Sequence, residues 1–555
     1  MTAGSAPPLS RTRAVRQALR LLCTSAAIAL AAGCGGQGDG PTPAPSPTAD
    51  TPTATPTTRP TGSPPSTPPL PLGDRVTFFG ADEEDSAGAF AAGDFDGDSI
   101  PDVVLTAPFA DGPANARPDS GEAHIFLGPF VPGEERDPAK GQQAFTLYGA
   151  RSGDQLGRAL ASGDFNGDGI DDIALSAPFA DGPALDRPDA GHIYLLFGFA
   201  GLGEDRRSLD LAEGGEDAVI FGADVDDIAG FALHAGDVNG DGSADLIIGA
   251  FHGDGPDNAR PDSGDVYVVY GGRPSRQFDL AEGAQDVTIY GAEPGDWLGE
   301  AVGAGDVNGD GLVDVIASAT FADGPDNERE AAGETYIIMG PPAPLLDMAS
   351  GRPDVTIVGI DPGDQIGHSI ASGDVDGDGS ADVILGAVSA DGPGNQEDLA
   401  GEAYLILGGQ SLPDIVDTAV DPVAALIYGR GAKDRLGRSA AAGDVNGDGL
   451  SDLLIAAPDT SAREGSKGRA GAVYVFLGRR AESYPETSGE ADTALYGTDG
   501  GDILGHGALG RPPLVATDVN GDGLADILVT APRADGPNNE RRDSGEAYII
   551  FMARG

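Results

Sequence analysis

The sequence predicts an all-β chain folded as a seven-bladed β-propeller, and three observations predict it. A nine-residue acidic loop occurs seven times, starting at Asp94, Asp164, Asp237, Asp306, Asp374, Asp444 and Asp518. The starts are 70, 73, 69, 68, 70 and 74 residues apart, so one unit repeats along the chain. Each loop runs straight into a short apolar strand, and further β-branched or aliphatic runs follow, bounded by Gly or Asp.

Residues 354–408 show how one unit divides. VTIVG is a short strand, QIGHSIASGD contains a second, DVILGA is a third and EAYLILG a fourth. Four strands in each of seven units suit radial repetition, which leaves few sheet edges exposed. A linear stack would instead need distinctive capping units at both ends. The lone strand Val76–Gly80 opens the series, and EAYIIF (Glu546–Phe551) ends it without a following strand. The opening strand therefore supplies the outer strand of the last blade and locks the ring.

Composition agrees with this reading. The 555 residues include 87 Gly, 40% are hydrophobic and 6% aromatic, which fits many short strands joined by tight turns. A formal charge of −56 argues against nucleic acid or an anionic membrane surface as the partner.

The first 72 residues are of a different kind. Arg11, Arg13, Arg16 and Arg20 precede an apolar run from Leu21 to Ala32, and Gly33-Cys34 follows. That is the layout of a secretory signal over residues 1–33. The small residues ending in Cys34 resemble a bacterial lipobox, with Ala31 where Leu is commonest. An ordinary signal with an incidental Cys is the alternative. The apolar run is too short to span a bilayer, so acyl chains on Cys34 would be the membrane attachment. Residues 34–72 are rich in Pro, Thr and Ser and are expected to form a disordered, extended stalk. The propeller is then residues 73–555. It carries no cysteine, since Cys23 leaves with the signal and Cys34 is lipidated. Localisation follows: secreted and held at the cell surface, or facing the periplasm, by an N-terminal lipid.

The acidic loops carry the chemistry. They read DFDGDSIPD, DFNGDGIDD, DVNGDGSAD, DVNGDGLVD, DVDGDGSAD, DVNGDGLSD and DVNGDGLAD. Side chains at positions 1, 3, 5 and 9, with the carbonyl of position 7, form an all-oxygen set of the kind that Ca2+ takes. Loop one offers Asp94, Asp96, Asp98, Ile100 and Asp102, and loop two Asp164, Asn166, Asp168, Ile170 and Asp172. Loop three offers Asp237, Asn239, Asp241, Ser243 and Asp245, and loop four Asp306, Asn308, Asp310, Leu312 and Asp314. Loop five offers Asp374, Asp376, Asp378, Ser380 and Asp382, and loop six Asp444, Asn446, Asp448, Leu450 and Asp452. Loop seven offers Asp518, Asn520, Asp522, Leu524 and Asp526. Two carboxylates about 4 Å apart repel by roughly 4 kcal/mol at an effective dielectric of 20, so each loop invites a cation, up to seven Ca2+ in all. The motif is not an EF-hand, because position 12 is a strand residue such as Leu105 or Leu175. Loop one departs at Ser99 and Pro101. The competing reading is that Asp, Asn and Gly simply make polar turns.

Two further motifs recur. Tyr-Gly or Phe-Gly stands at 79–80, 148–149, 221–222, 290–291, 428–429 and 496–497, with Val358-Gly359 as the weaker copy. Ala-Pro or Gly-Ala follows the acidic loop at 107–108, 177–178, 249–250, 386–387, 457–458 and 531–532. Together these resemble FG-GAP repeats, the blades of the integrin alpha-subunit head, which also occur in bacterial surface proteins. The resemblance covers residues 76–555. It implies calcium in the hairpin between the first two strands of a blade, and a ligand side on the opposite face.

Chain direction alone puts the acidic loops on one face with the variable inserts between units. The other face carries G-A-x-x-x-D-x-x-G loops, as in Gly149–Gly157 and Gly291–Gly299, and A-D-G-P-x-N-x-R loops. The latter occur at Asp111–Arg117, Asp323–Arg329 and Asp535–Arg541, with variants at Asp181 and Asp254. Blade six has DTSAREGSKG (Asp459–Gly468) instead. These loops either grip a ligand or brace neighbouring blades, and Trp297 is either an exposed anchor or a packing residue. His368 and His506 share a place with Arg158 and Arg438, which reads as surface drift.

Three functions fit: a surface binding or adhesion module, a structural component of the envelope, and a propeller hydrolase. No nucleophile motif supports the last, so no enzyme is expected. The expected partner is an extracellular or envelope protein or glycan, met by a monomeric propeller.

Overall fold

The computed structural model describes residues 75–203, 207–273, 276–461, 468–479, 484–506 and 514–553. The signal, Cys34 and the Pro/Thr-rich stretch lie outside them. The described chain is all β, interrupted only by 3-10 turns, and forms seven antiparallel blades.

Blade 1 sets the pattern. Phe90–Gly93 is the inner strand, Asp102–Ala107 the second, Glu122–Phe126 the third and Phe145–Tyr148 the outer one. The acidic loop joins the first two. The second strands are fully buried, as continuous apolar runs such as VVLTA or VILGA require when both sheet faces are covered.

Blade and sequence unit are offset by one strand. Val355–Val358, the opening strand of the 354–408 unit, pairs with Glu334–Ile338 of the preceding blade. The same offset closes the ring. Arg75–Phe79 pairs antiparallel with Glu546–Ile550 and becomes the outer strand of blade 7. Phe78 of that strand is fully buried, with ring centroids 5.5, 5.0 and 5.7 Å from Phe90, Phe126 and Phe130 of blade 1. These edge-on contacts hold the seam by burying large aromatic surface.

The core is a series of seven interblade seams. Between blades 1 and 2, Ile125 and Leu147 meet Leu175 and Tyr194, and between blades 7 and 1, Val519 and Leu528 meet Phe90 and Val103. The inner strands pack around the axis and are made of small residues: FAAG, SIASG and SAAAG are examples. A Cβ on Gly163 would lie 2.9 Å from the Ala244 Cβ of the next blade, so the axis tolerates little bulk.

The recurrent aromatic-Gly pair marks a closer approach. A Cβ on Gly149 or Gly222 would fall well inside van der Waals contact of the Ser120 or Ala190 carbonyl oxygen. The Gly149 N–H also donates to the Gly121 carbonyl (2.8 Å) and that of Gly222 to Gly191 (2.8 Å). Only glycine fits where the outer strand passes that backbone.

The variable inserts have a structural role that their sequence does not announce. Each reaches back and lays a short parallel strand, here called a strap, on the outer strand of the preceding blade. Ser208–Asp210, from the insert of blade 2, pairs with Thr146–Tyr148 of blade 1. Gln277–Asp279, Leu345–Asp347 and Ile415–Asp417 do the same on blades 2, 3 and 4. Glu135–Arg136 does so on the closing strand of blade 7. Blade 5 carries a single bridge, Tyr428 with Thr487.

Candidate functional site

The acidic loops crown one face. Position 9 opens the second strand and is almost wholly buried in every blade, with Asp102 the most exposed at 1%. Its two oxygens are held by backbone. In loop five, Asp382 Oδ2 accepts the Val375 N–H (2.8 Å) and Oδ1 the Gly408 N–H (2.8 Å). The equivalents in loop six are Val445 (2.9 Å) and Gly478 (2.8 Å) on Asp452. Burial pushes these carboxyls up: Asp102 and Asp172 to about 7, and Asp245, Asp382, Asp452 and Asp526 to about 6. The backbone donors oppose the shift without cancelling it.

Position 1 wraps the loop around itself. Asp374 Oδ1 accepts the Gly377 and Asp378 N–H groups (2.6 and 3.1 Å), and Oδ2 that of Gly379 (3.0 Å). Gly at positions 4 and 6 has φ of +77° and +94°, a turn that only such residues take freely. Position 5 accepts the N–H of position 7, as Asp378 does from Ser380 (2.8 Å).

Loops one and five differ from the rest. Carboxylate oxygens of Asp94, Asp96 and Asp102, and of Asp374, Asp376 and Asp382, lie within 4.8 Å of one another. In loop one the buried Asp94 Oδ1 has no hydrogen-bond partner, and Ser99 takes the left-handed conformation that Gly has elsewhere (φ +69°). In loops two, three and six, where position 3 is Asn, its amide nitrogen donates to a carboxylate of the loop. Asn166 Nδ2 donates to Asp172 (3.3 Å), Asn446 Nδ2 to Asp452 (3.2 Å) and Asn239 Nδ2 to Asp241 (3.0 Å). The all-oxygen donor sets and the orphaned Asp94 oxygen fit a hard cation, and loops one and five are those in which three carboxylates come together. Positions 5 and 7 are not part of those two clusters.

On the opposite face the A-D-G-P-x-N-x-R loops act as braces. Arg187 Nη1 donates to the Gly222 and Ala223 carbonyls (2.8 and 3.0 Å), and the guanidinium takes both oxygens of Asp279 on the strap (2.7 and 2.8 Å). Arg117–Asp210 (2.6 Å), Arg260–Asp347 (2.7 Å), Arg329–Asp417 and Arg541–Asp137 repeat the latch. Blade 5 has Glu397 in place of the arginine, and Thr487 in place of the aspartate.

The same face holds buried acids. Burial, then the neighbouring Asp85 charge, raises Glu122 to about 8; burial and Asp265 raise Asp227 to about 8. Tyr267, Tyr336 and Tyr404 donate to the acid two residues before each (3.1, 2.7 and 2.7 Å). Trp297 packs against Phe321 (4.3 Å) and Phe251 (5.3 Å) and is half-buried.

The matched Arg and His positions are not surface drift. Arg158 is 5% exposed with its guanidinium 5.1 Å from the Phe231 ring of the next blade. Arg438 Nη1 lies 2.6 Å from His368 Nε2, and His368 Nδ1 3.6 Å from Glu300 Oε1. Side chains from one position in successive blades touch because these residues enter the inner strands, where the blades converge. A single repeat gives no hint of that convergence.

A ring of seven four-stranded blades with an acidic loop between the first two strands defines a seven-bladed β-propeller built of repeats. The repeat model described as FG-GAP repeat matches residues 86–126, 156–196, 229–269, 298–338, 436–476 and 514–550, so the chain is an FG-GAP repeat protein. Blade 5 is not matched but has the same four strands. Human phosphatidylinositol-glycan-specific phospholipase D is 28% identical over 310 residues, 53% of this chain and 35% of that protein. Drosophila melanogaster integrin alpha-PS2 is 29% identical over 250 residues, 42% of this chain and 15% of that protein. Caenorhabditis elegans integrin alpha pat-2 is 27% identical over 279 residues, 48% and 21% respectively. The chain thus spans about a third or less of these relatives.

Proposed function

We propose that this protein is a calcium-binding surface module, held at the membrane by a lipid on Cys34, whose propeller binds an extracellular or envelope protein or glycan. The observation that carries the reading is the sevenfold acidic loop on one face of a closed ring, with three carboxylates converged in loops one and five. Similarity to integrin alpha subunits supports a binding role. Calcium, when bound, neutralises carboxylates that otherwise repel and fixes the hairpins in which they sit. Asp94, Asp96 and Asp102, and Asp374, Asp376 and Asp382, would hold it in the best-formed loops. Loops two, three and six would first turn the Asn amide so that oxygen replaces nitrogen.

Native mass spectrometry before and after chelation, with a melting curve on the same samples, tests the metal. About seven ions and a large fall in melting temperature on chelation support the proposal. No bound calcium and an indifferent melt reduce the loops to polar turns. A lipid-hydrolase reading is favoured by the names of the phospholipase D relatives; turnover of a glycosylphosphatidylinositol substrate by the purified chain would establish it.

A further inference from the structure

The acidic loops of neighbouring blades touch. The N–H of position 8 in one loop donates to the position-1 carbonyl of the loop before it. Asp171 donates in this way to Asp94 (3.0 Å), Ala244 to Asp164 (2.9 Å), Ala381 to Asp306 (2.7 Å), Ser451 to Asp374 (2.7 Å) and Ala525 to Asp444 (2.8 Å). Position 8 of loop one is Pro101, which has no N–H to give to loop seven.

Loop one also grips its own first acid least. In loops two, three, five, six and seven, the position-1 Oδ1 accepts the N–H groups of positions 4 and 5. Asp164 takes those of Gly167 and Asp168 (2.7 and 3.0 Å), and Asp518 those of Gly521 and Asp522 (2.7 and 3.2 Å). Loop four keeps the second of these bonds, from Asp310 to Asp306 (3.0 Å). Among the described residues, neither bond forms in loop one. The Asp98 N–H turns to Asp96 Oδ1 (3.1 Å), and Asp94 Oδ1 is left as the buried oxygen without a partner. The Asp94 side chain retains one backbone donor, the Ser99 N–H on Oδ2 (2.9 Å).

The next blade supplies the hold that loop one lacks. Besides giving its N–H to the Asp94 carbonyl, Asp171 accepts the Asp94 N–H on Oδ2 (3.0 Å). Both polar backbone groups of Asp94 are thus fixed to one residue of loop two. The approach is close: a Cβ on Gly93 would lie 2.9 Å from that same Oδ2, so a glycine before Asp94 leaves room for the carboxylate. Position 8 is Pro, Ala, Val or Ser in the other six loops, none of which carries a carboxylate.

We propose that Asp171 is a positioning residue for the cation site of loop one, acting from the next blade through the Asp94 backbone. The proposal rests on the calcium reading above. Without donors from its own loop, Asp94 Oδ1 offers a cation an uncompensated oxygen, with Asp96 and Asp102 converged beside it. A loop so freed cannot fix Asp94 by itself, and the pair of bonds to Asp171 fixes it instead. The Asp171 charge also acts on those of Asp94 and Asp164, adding to the repulsion that a cation relieves.

Hydrogen exchange on the full chain across a calcium titration tests this, comparing wild type, Asp171→Ala and Asp171→Asn. Alanine already stands at this place in loops three, five and seven, so the fold accepts it there. Asparagine keeps an oxygen for the Asp94 N–H and removes the charge. In chelator, the Asp94 amide should exchange about tenfold or more faster in Asp171→Ala than in wild type, and should stay protected in Asp171→Asn. With calcium, half-protection of residues 94–102 should need about tenfold more ion in Asp171→Ala and return close to wild type in Asp171→Asn, while residues 374–382 keep their midpoint in all three chains. An unchanged Asp94 amide or an unchanged loop-one midpoint in Asp171→Ala overturns the proposal. So does a midpoint in Asp171→Asn as high as that in Asp171→Ala, because charge alone would then be the cause. Calcium that protects no loop of the wild type overturns the calcium reading, and this proposal with it.

Discussion

Replacing Arg187 by alanine should destabilise the ring by about 3 kcal/mol, and the latch geometry sets that figure. The guanidinium makes two bonds to Asp279 and two to the Gly222 and Ala223 carbonyls, with side-chain exposures of 12% for Arg187 and 23% for Asp279. Hydrogen bonds to charged groups contribute about 1.5–3 kcal/mol each when buried, and the partial hydration of Asp279 places this set near the lower end. At about 2.1 cal/mol/K per residue, a propeller of this size has an unfolding entropy of about 1 kcal/mol/K, so the melting temperature should fall by about 3 °C. Asp279→Ala should cost a similar amount. The double variant should cost little more than either one, so the coupling should approach about 3 kcal/mol. Arg187→Lys should recover less than half, because an ammonium cannot make the two-pronged contact. Scanning calorimetry on the four chains measures this. Additive losses, or no loss in Arg187→Ala, would refute the claim that the arginine loops brace the blades.

Three other outcomes follow from the same geometry. Asp448→Ala should lower the calcium count by one and weaken blade 6; unchanged metal content removes that loop from the assignment. Gly222→Ala should prevent folding or cost more than about 3 kcal/mol, since the Ala190 carbonyl occupies the place of a Cβ; a soluble variant with native melting would contradict the close approach. Burial raises the folded-state pKa of Asp227 from 3.8 to about 8, so its contribution to stability is complete below about pH 4 and lost as pH rises through about 8. Asp227→Asn should flatten that part of the melting-temperature profile and stabilise the protein at pH 8 in chelator. A profile as steep as that of wild type would show that this carboxyl is not the group responsible.

Much of the fold was legible in residue order. Seven copies of one loop fixed the blade number, and the unpartnered strand at Val76–Gly80 foretold ring closure, because a blade without its outer strand leaves backbone groups unpaired. The Phe/Tyr-Gly motif was visible as a repeat, though its cause is a carbonyl almost thirty residues earlier that only the folded chain brings near Gly149. The straps were not legible. Three residues such as Ser208–Asp210 are too few to show a period, and their partner is the outer strand of another blade. Bracing was one of two readings open for the arginine loops, but the partner was not legible: Arg187 and Asp279 lie 92 positions apart.

Sequence alone therefore determined what a repeat can carry within itself: strand number, the acidic residues of each loop, the tight glycines and the direction of the chain between faces. Those features depend on neighbours a few residues away, and local stereochemistry is written in residue order. Tertiary structure decided what depends on curvature. Convergence at the axis brings Arg438, His368 and Glu300 together across three blades. The outward splay of the blades opens the rim where each insert crosses to its neighbour. The amides of Asn166, Asn239 and Asn446 likewise meet their carboxylates only once the backbone has closed around them.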